Sequence, residues 1–156
     1  MKLHLLAVGE KMPGWVQQAY QIYLQRLPSN LQPVLHEVPL APRTKNTEVT
    51  KALATEGARM LKLVPPQAHA VALDIDGTPW STEQLARSLE RWQMAAAPVA
   101  LMVGGPDGLA PECLQRADQR WSLGPLTLPH PLVRVLLAEQ IYRAFSILQG
   151  HPYHRA

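Results

Sequence analysis

Short apolar runs alternate with amphipathic stretches along the whole chain. Two runs, KLHLLAV (2–8) and PVLHEV (33–38), alternate apolar and polar positions and predict half-buried strands. Two others, VALDI (71–75) and VALMV (99–103), are apolar runs of strand length, as expected for a parallel sheet that is covered on both faces. The pattern therefore predicts strands that are separated by longer, helical segments.

Three of these longer segments, 14–27, 46–63 and 81–95, repeat apolar residues at helical spacing. The third opens with Ser81 and has Gln84 three residues later, which is the spacing of a capping box. Strands that alternate with helices predict an α/β fold, with a parallel sheet flanked by helices and joined by crossover connections. The residues expected to face inward are Val16, Tyr20, Tyr23, Leu24, Leu27, Val49, Leu53, Met60, Leu63, Leu85, Leu89 and Trp92.

A last helix, predicted over 131–148, is apolar on nearly every side. Pro131 suits its first turn, and Gly150 follows its end. A helix that is apolar nearly all round must be buried on most sides. Because the chain is small, we expect this helix to form a subunit interface as well as part of the core. The sequence therefore predicts a two-fold homodimer.

Composition limits the class of protein. The 156 residues, 47% hydrophobic and 17% charged, fit a single globular domain over 1–156. No segment approaches the ~20 apolar residues of a membrane span, and the N-terminal apolar run is too short for a signal peptide, so we expect a cytoplasmic protein. The lone Cys113 has no partner for a disulfide and is interpreted as a small apolar residue. The net charge of +3 is compatible with a polyanionic partner.

Three strand ends are rich in glycine or proline and are candidates for a ligand site. They are LDIDG (73–77), VGGPDGL (103–109) and SLGPLTLPHP (122–131). Ligands of open α/β sheets bind beyond the carboxyl ends of the strands, and bare main chain lets a flat ligand such as adenine approach closely. The chain has neither a GxGxxG after its first strand nor a GxxxxGK[ST], so it carries no phosphate-binding motif of these kinds.

Charged and aromatic candidates lie in the last helix and in the closing GHPYHRA (150–156). Glu139 and Arg143 are four apart, which fits either a helix-surface ion pair or two residues of one site. Arg134 lies nine residues before Arg143 and so on roughly the opposite face of the helix. In a straight helix, these two arginines can serve one site only across a dimer interface. His130 lies between two prolines and is either a structural turn residue or a site residue.

Other candidates have plainer interpretations. Asp74 and Asp76 are either paired acids or part of a solvated turn, and the following Gly-Thr-Pro favours the turn. HPYH supplies only two histidines, half of a tetrahedral zinc site, and no metal is expected. The four tryptophans can stack on bases, but their neighbours favour core or interface positions.

Several motifs together carry a family resemblance that covers the whole chain. The chain resembles the bacterial ribosomal RNA large subunit methyltransferase H family, of the SPOUT (trefoil-knot) class. Asp107 stands where a glutamate is expected in GGPEGL. The resemblance implies an α/β fold with a deep C-terminal trefoil knot, which periodicity does not reveal. The segments that carry it are KLHLLAVGEKMPGWV, LDIDGTPWST, VGGPDGL, SLGPLTLPHPLVRVLLAEQIYRA and HPYHR.

The resemblance also implies a cofactor, a substrate and an assembly. The cofactor is S-adenosylmethionine, and the enzyme is a homodimer. The substrate is 23S rRNA within the assembled ribosome, where N3 of a pseudouridine in the helix 69 stem-loop receives the methyl group. No membrane partner is implied. Carried over to this sequence, the cofactor-binding residues are Leu73, Gly104, Gly105, Leu123, Gly124, Pro125, Leu126, Thr127 and Leu128.

The implied reaction requires a proton acceptor, because the N3–H of pseudouridine must lose its proton before N3 can attack. His154 is the candidate base, since the pKa of histidine lies near neutrality. Tyr153 is expected to orient or stack on the base, and Arg143 to stabilise the developing negative charge. The candidate substrate-binding residues are His130, Arg134, Glu139 and Arg155.

Two other functions remain open at this point. One is a non-catalytic ribosome-binding factor that retains the knot. The other is an α/β enzyme with a different adenine cofactor, such as a dinucleotide, against which the missing GxGxxG counts.

Overall fold

The protein, in a computed structural model that describes residues 1–45 and 48–155, is a five-stranded sheet flanked by helices. The strands are β1 (Leu3–Val8), β2 (Val34–Val38), β3 (His69–Pro79), β4 (Val99–Val103) and β5 (Gln119–Ser122). The helices are α1 (Gly14–Leu24), α2 (Val49–Leu63), α3 (Thr82–Ala95), α4 (Pro111–Arg116) and α5 (His130–Leu148), with short 3₁₀ helices at Ser29–Leu31 and Pro152–His154.

The strand order is β2-β1-β4-β3-β5, and every neighbouring pair is parallel. Parallel strands must be joined by crossover connections, and each of the four connections between consecutive strands contains a helix. The prediction of a parallel α/β sheet flanked by helices is therefore confirmed.

β1 lies inside the sheet, where it pairs with β2 on one side and β4 on the other. The prediction of a half-buried strand was wrong here, because helices cover both faces of the sheet at this strand. His4 is its half-buried polar residue, and its Nδ1 lies 3.0 Å from Nε2 of His36 on β2. The buried residues of β1 are Leu3, Leu5, Leu6, Ala7 and Val8.

Two hydrophobic layers cover the sheet, one on each face. The first contains buried residues of α1, α3 and α5, including the predicted Leu85, Leu89 and Trp92. The second contains buried residues contributed by α2 and α4, including Met60 and Cys113. The inward stripe predicted for α3 is therefore confirmed.

The ends of two predicted helices differ from expectation. α1 ends at Leu24, although Leu27 beyond it is still buried. α2 begins at Val49, and the first two residues of its predicted span, 46–47, lie outside the described residues. Val49 and Leu63 were predicted to face inward, but they are 46% and 38% exposed. Both lie at the ends of α2, whose buried residues are Ala52, Glu56, Gly57 and Met60.

β3 is longer than the apolar run that predicted it. It continues to Pro79, and its pairing with β5 shifts register between Leu73 and Thr78. The solvated turn expected at Asp74 and Asp76 is therefore an irregular piece of strand, in which the N–H of Asp76 donates to Asp74 Oδ1 at 3.2 Å. A bulge of this kind leaves backbone groups of the strand unpaired locally, while the strand itself continues.

α5 begins at His130 and is covered unevenly. Its buried residues include Leu137, Ile141 and Ala144, while its remaining apolar residues, such as Leu132 and Leu136, are only half-buried. Within the described residues, no helix is both long enough and apolar enough to cross a membrane.

The capping box at the start of α3 provides a test of this local structure. The N–H of Gln84 donates to Ser81 Oγ at 3.1 Å, and the N–H of Ser81 donates to Gln84 Oε1 at 2.7 Å. Ser81→Ala removes the cap and should lower the free energy of unfolding by about 1 kcal/mol. Denaturant unfolding measures this, with the exposed Thr50→Ala on α2 as the control. Equal stability of the two variants would contradict the prediction.

Candidate functional site

The ends of β3, β4 and β5 meet around one cavity of about 510 Å³. Each of the three glycine- or proline-rich segments singled out in the sequence lines it. They lie together because β4, β3 and β5 are adjacent parallel strands whose carboxyl ends share one edge of the sheet. The lining residues include Leu73, Asp74 and Ile75 from β3, Gly104 to Leu109 after β4, and Leu123, Gly124, Leu126, Thr127 and Leu128 after β5.

The segment after β4 folds back on itself and presents main chain to the cavity. The N–H of Gly108 donates to the carbonyl of Gly105 at 3.0 Å. A side chain on Gly104 would put a Cβ only 2.3 Å from the main-chain carbon of Gly108. Glycine is therefore required at position 104 by close packing within the loop.

The segment after β5 is shaped by a small turn. Ser122 Oγ accepts from the N–H of Gly124 at 3.1 Å, and Gly124 has a left-handed backbone, with φ at +124°. No hydrogen bond among the described residues uses the N–H groups of Leu126, Thr127 and Leu128. The segment thus offers a ligand both apolar side chains and unused main-chain donors.

Eight of the nine residues predicted to bind a cofactor line this cavity, and Pro125 does not. The turn at Gly124 leaves Pro125 exposed. Asp107, Trp121 and Val133 also line the cavity but were not among the predicted cofactor-binding residues. Asp107 was visible within VGGPDGL, but no sequence signal indicated the other two.

His130, the first residue of α5, also lines the cavity. Burial and the nearby Arg134 lower its pKa, which favours the neutral imidazole at neutral pH. Its buried Nδ1 has no protein partner within the described part of the chain. The loop after β1 approaches it closely, since a Cβ on Gly9 would lie 3.1 Å from His130 Cε1.

Arg134 lies one turn beyond His130 and is buried. Its Nη1 lies 2.8 Å from Glu37 Oε2, and its Nη2 donates to the carbonyl of Gly9 at 3.4 Å. These contacts attach the start of α5 to the carboxyl ends of β1 and β2. In this arrangement, Arg134 positions protein groups and has little surface to offer a substrate.

A second cluster forms where the C-terminal residues fold back on α5. Arg143 Nε donates to Glu139 Oε1 at 2.7 Å, and the hydroxyl of Tyr153 donates to the same oxygen at 3.3 Å. The Arg143 guanidinium lies 4.9 Å from the centre of the Tyr153 ring, and Tyr142 packs edge-on against that ring at 4.6 Å. Glu139 and Arg143 form the ion pair expected from their spacing, as part of a larger cluster.

The C-terminal segment has a defined path. Gly150 ends α5 with a left-handed backbone, with φ at +69°, and the N–H of His151 donates to the carbonyl of Ser146 at 2.8 Å. His154 is half-buried, and its Nδ1 is buried without a protein partner among the described residues. Arg155 is exposed. The segment is therefore folded against α5 up to Arg155.

The two clusters lie apart within one chain. None of the five candidates Glu139, Arg143, Tyr153, His154 and Arg155 lines the cavity. Along α5, Glu139 lies nine residues beyond His130, or about 14 Å at 1.5 Å per residue. The structure thus brings His130 to the predicted cofactor residues, and it gathers Glu139, Arg143 and Tyr153 elsewhere.

The cysteine and two of the tryptophans lie in the hydrophobic core. Cys113 is buried, which confirms its interpretation as an apolar residue, and burial raises its pKa to about 11. Trp92 and Trp121 are buried in the core, as expected, whereas Trp15 is exposed. The described residues contain no group of three or more His, Cys, Asp or Glu that is arranged to hold a metal.

Comparisons with solved structures show the same fold. One is described as a probable methyltransferase from Bordetella pertussis Tohama I. It aligns with a TM-score of 0.59 at 17% identity, over 92% of this chain and 93% of its own. Another, a probable methylase family protein from Haemophilus influenzae Rd KW20, aligns with a TM-score of 0.55 at 12% identity, over 99% of this chain and 70% of its own.

Comparisons of sequence are more specific. The family described as "Predicted SPOUT methyltransferase" matches residues 1–154. A protein named ribosomal RNA large subunit methyltransferase H from Stutzerimonas stutzeri (strain A1501) is 57% identical over 99% of this chain and all of its own length. A protein of the same name from Pseudomonas putida (strain GB-1) is 56% identical over the same shares. The chain belongs to the SPOUT methyltransferase family.

Proposed function

We propose that this methyltransferase transfers a methyl group from S-adenosylmethionine to N3 of a pseudouridine in the helix 69 stem-loop of 23S rRNA, within the assembled ribosome. The observation that carries the proposal is the cavity at the ends of β3, β4 and β5, which contains eight of the nine residues implied by the family resemblance. Full-length identity of 56–57% to proteins named ribosomal RNA large subunit methyltransferase H supports the substrate class.

The residues of the cavity fit S-adenosylmethionine. The volume, about 510 Å³, lies in the usual range for small-molecule sites. Leu73 and Leu128 supply apolar contacts for an adenine ring, and the unused N–H groups of the segment after β5 can bind its nitrogen atoms. Gly104 permits the tight loop whose main chain forms another part of the lining.

The proposed fold includes the deep C-terminal trefoil knot of the SPOUT class. The matches to the family and to solved methyltransferase structures support it. The close packing of Gly104 against Gly108 is compatible with a tightly wound loop at this edge of the sheet.

When bound, S-adenosylmethionine supplies an electrophilic methyl group on a sulfonium. The protein must then orient N3 of the pseudouridine toward that methyl group and accept its proton. In our proposal, His154 accepts the proton and Tyr153 holds the base. Arg143, paired with Glu139, stabilises the negative charge that develops on the base. Arg155 is exposed and available to a phosphate.

The active site in this proposal combines two copies of the chain. The base-contacting candidates do not line the cavity of their own chain, and an enzyme must bring them to the methyl group. A two-fold homodimer solves this if the C-terminal residues of one copy enter the cavity of the other. The partly covered apolar residues of α5 and the exposed Trp15 and Ile22 of α1 provide the contact surface.

The partner and location follow from the same proposal. A small chain with a net charge of +3 can contact rRNA phosphates, and the ribosome supplies the remaining recognition surface. The enzyme therefore works in the cytoplasm.

Gly104→Ala tests the cofactor site. The new Cβ would be 2.3 Å from Gly108, so the loop must shift, at a cost of about 1–3 kcal/mol. We expect at least about tenfold weaker binding of S-adenosylmethionine in a calorimetric titration. Gly14→Ala is the control, because a Cβ there meets nothing within 4 Å. No binding by the unaltered chain would contradict the proposed cofactor.

His154→Ala tests the proton acceptor. Loss of a general base should lower the rate of methyl transfer to ribosomes by about 100-fold or more, while binding of S-adenosylmethionine stays intact. Ribosomes from a strain that lacks this modification are the substrate. Unchanged transfer would exclude His154 as the base.

A mixed dimer tests whether the site combines two chains. One copy carries Gly104→Ala and the other carries His154→Ala, each with its own affinity tag. In a combined site, one of the two cavities remains intact and faces an intact C-terminal segment, so about half of the normal activity should return.

The two homodimers are the controls for this experiment, assayed at an S-adenosylmethionine concentration too low to load the Gly104→Ala cavity, so that neither homodimer has appreciable activity. If every site lies within one chain, the mixed dimer contains no intact site and stays inactive. Sedimentation of the unaltered protein at micromolar concentration must also show a dimer. A monomer there would contradict the proposed assembly.

A further inference from the structure

A segment outside the cavity is tied to the glycine-rich loop by one arginine. Arg43, in the connection between β2 and α2, donates from Nε to Asp107 Oδ2 at 2.7 Å. The other edge of its guanidinium pairs with Glu56 on α2, and its Nη1 also donates to the carbonyl of Ala41 at 2.7 Å. One side chain therefore joins three parts of the fold.

Glu56 provides a firm anchor for this arginine. Its side chain is only 3% exposed, and besides Arg43 it accepts from the N–H of Ala41 at 3.0 Å. A buried carboxylate is costly unless it is paired and hydrogen-bonded, so Glu56 strongly favours keeping the guanidinium in place. Since Glu56 takes one edge of the fork, the Nε edge is directed at Asp107.

Asp107 lies in the loop that forms one wall of the cavity. The main chain of the same loop also lies close to the side chains of Val8 and Leu40. A Cβ on Gly105 would lie 3.4 Å from Leu40 and 2.9 Å from Val8. Arg43 thus binds the exposed tip of a loop whose base is already packed, and it also neutralises a carboxylate at the cavity.

We propose that Arg43, held by Glu56, is a positioning residue that binds Asp107 and keeps the loop 104–108 in the conformation that accepts the methyl donor. Arg43 acts through Asp107 and contacts no reacting atom. The inference rests on the proposed function, in which this cavity holds S-adenosylmethionine.

Arg43→Lys separates this role from a structural one. A lysine carries one compact charge and lacks the planar fork, so it can pair with buried Glu56 but cannot also bind Asp107 in the same way. The fold should then remain stable while the loop loses its tie. Asp107→Ala removes the same tie from the other side, because no acceptor is left for the Arg43 Nε–H, and it leaves the Arg43–Glu56 pair untouched.

Two measurements on the full-length protein test the proposal. We expect each single variant to weaken binding of S-adenosylmethionine by about three- to tenfold. Without the tie the loop is less ordered in the free protein, and binding must then supply the free energy that orders it. The double variant should bind no more weakly than either single one, since both remove one interaction. Without ligand, hydrogen exchange of the amides in 104–109 should be faster in both variants.

Asp118→Asn is the matched control. It weakens another Arg–Asp pair, with Arg116, but Asp118 does not line the cavity. Unchanged affinity and exchange in the Arg43 and Asp107 variants, with normal binding by the unaltered chain, would overturn this inference alone. If the unaltered chain binds no S-adenosylmethionine, both the proposed function and this inference fail. Additive losses in the double variant would show that the two residues act separately and would also overturn it.

Discussion

Parallel pairing of β4, β3 and β5 is the constraint on which the site depends. Strands that run in the same direction end at the same edge, so three segments far apart in sequence become neighbours there. Each segment contributes something different: a strand irregularity after Leu73, a tight glycine loop after β4, and a turn at Gly124 after β5. A change in strand order would separate these walls even if every local motif were kept.

α5 connects this edge of the sheet to the C-terminal cluster. At its start, buried Arg134 links the helix to Glu37 and to the loop after β1, while His130 faces the cavity. Further along, Glu139 and Arg143 receive the C-terminal residues. The helix therefore fixes the spacing between the two groups of candidate residues within one chain.

Much of the fold could be predicted because it depends on patterns that are visible within short stretches of the sequence. The capping box at Ser81 and the uninterrupted apolar run of β4 are examples, and both appear as expected. α4 was not predicted, and β5 was recognised only by the loop that follows it, because a six-residue helix and a four-residue strand are too short to show a period. β1 was taken as half-buried because its neighbours in the sheet come from distant parts of the chain.

In the site, too, the features that depend on local sequence could be predicted, and those that depend on distant contacts could not. The glycine and proline content of three strand ends marked them as a candidate ligand site, since close main-chain approach needs those residue types, and the family resemblance named eight of the residues that line the cavity. Arg43 gave no such signal, because its partners Glu56 and Asp107 are 13 and 64 positions away and only the folded chain brings them together. Arg134 was expected to contact substrate, yet its partner Glu37, 97 positions away, keeps it buried.

The oxygen that Arg143 and Tyr153 share has a consequence for the energetics of the C-terminal segment. If Tyr153 leaves Glu139, the carboxylate keeps its cationic partner, so no charge is left unpaired. What is lost is one hydrogen bond of a phenol to a charged oxygen, together with ring contacts to Tyr142, Arg143 and Arg26. Such contacts are worth a few kcal/mol in total. RNA contacts worth a few kcal/mol therefore suffice to move Tyr153, and the Arg143–Glu139 ion pair remains when it moves.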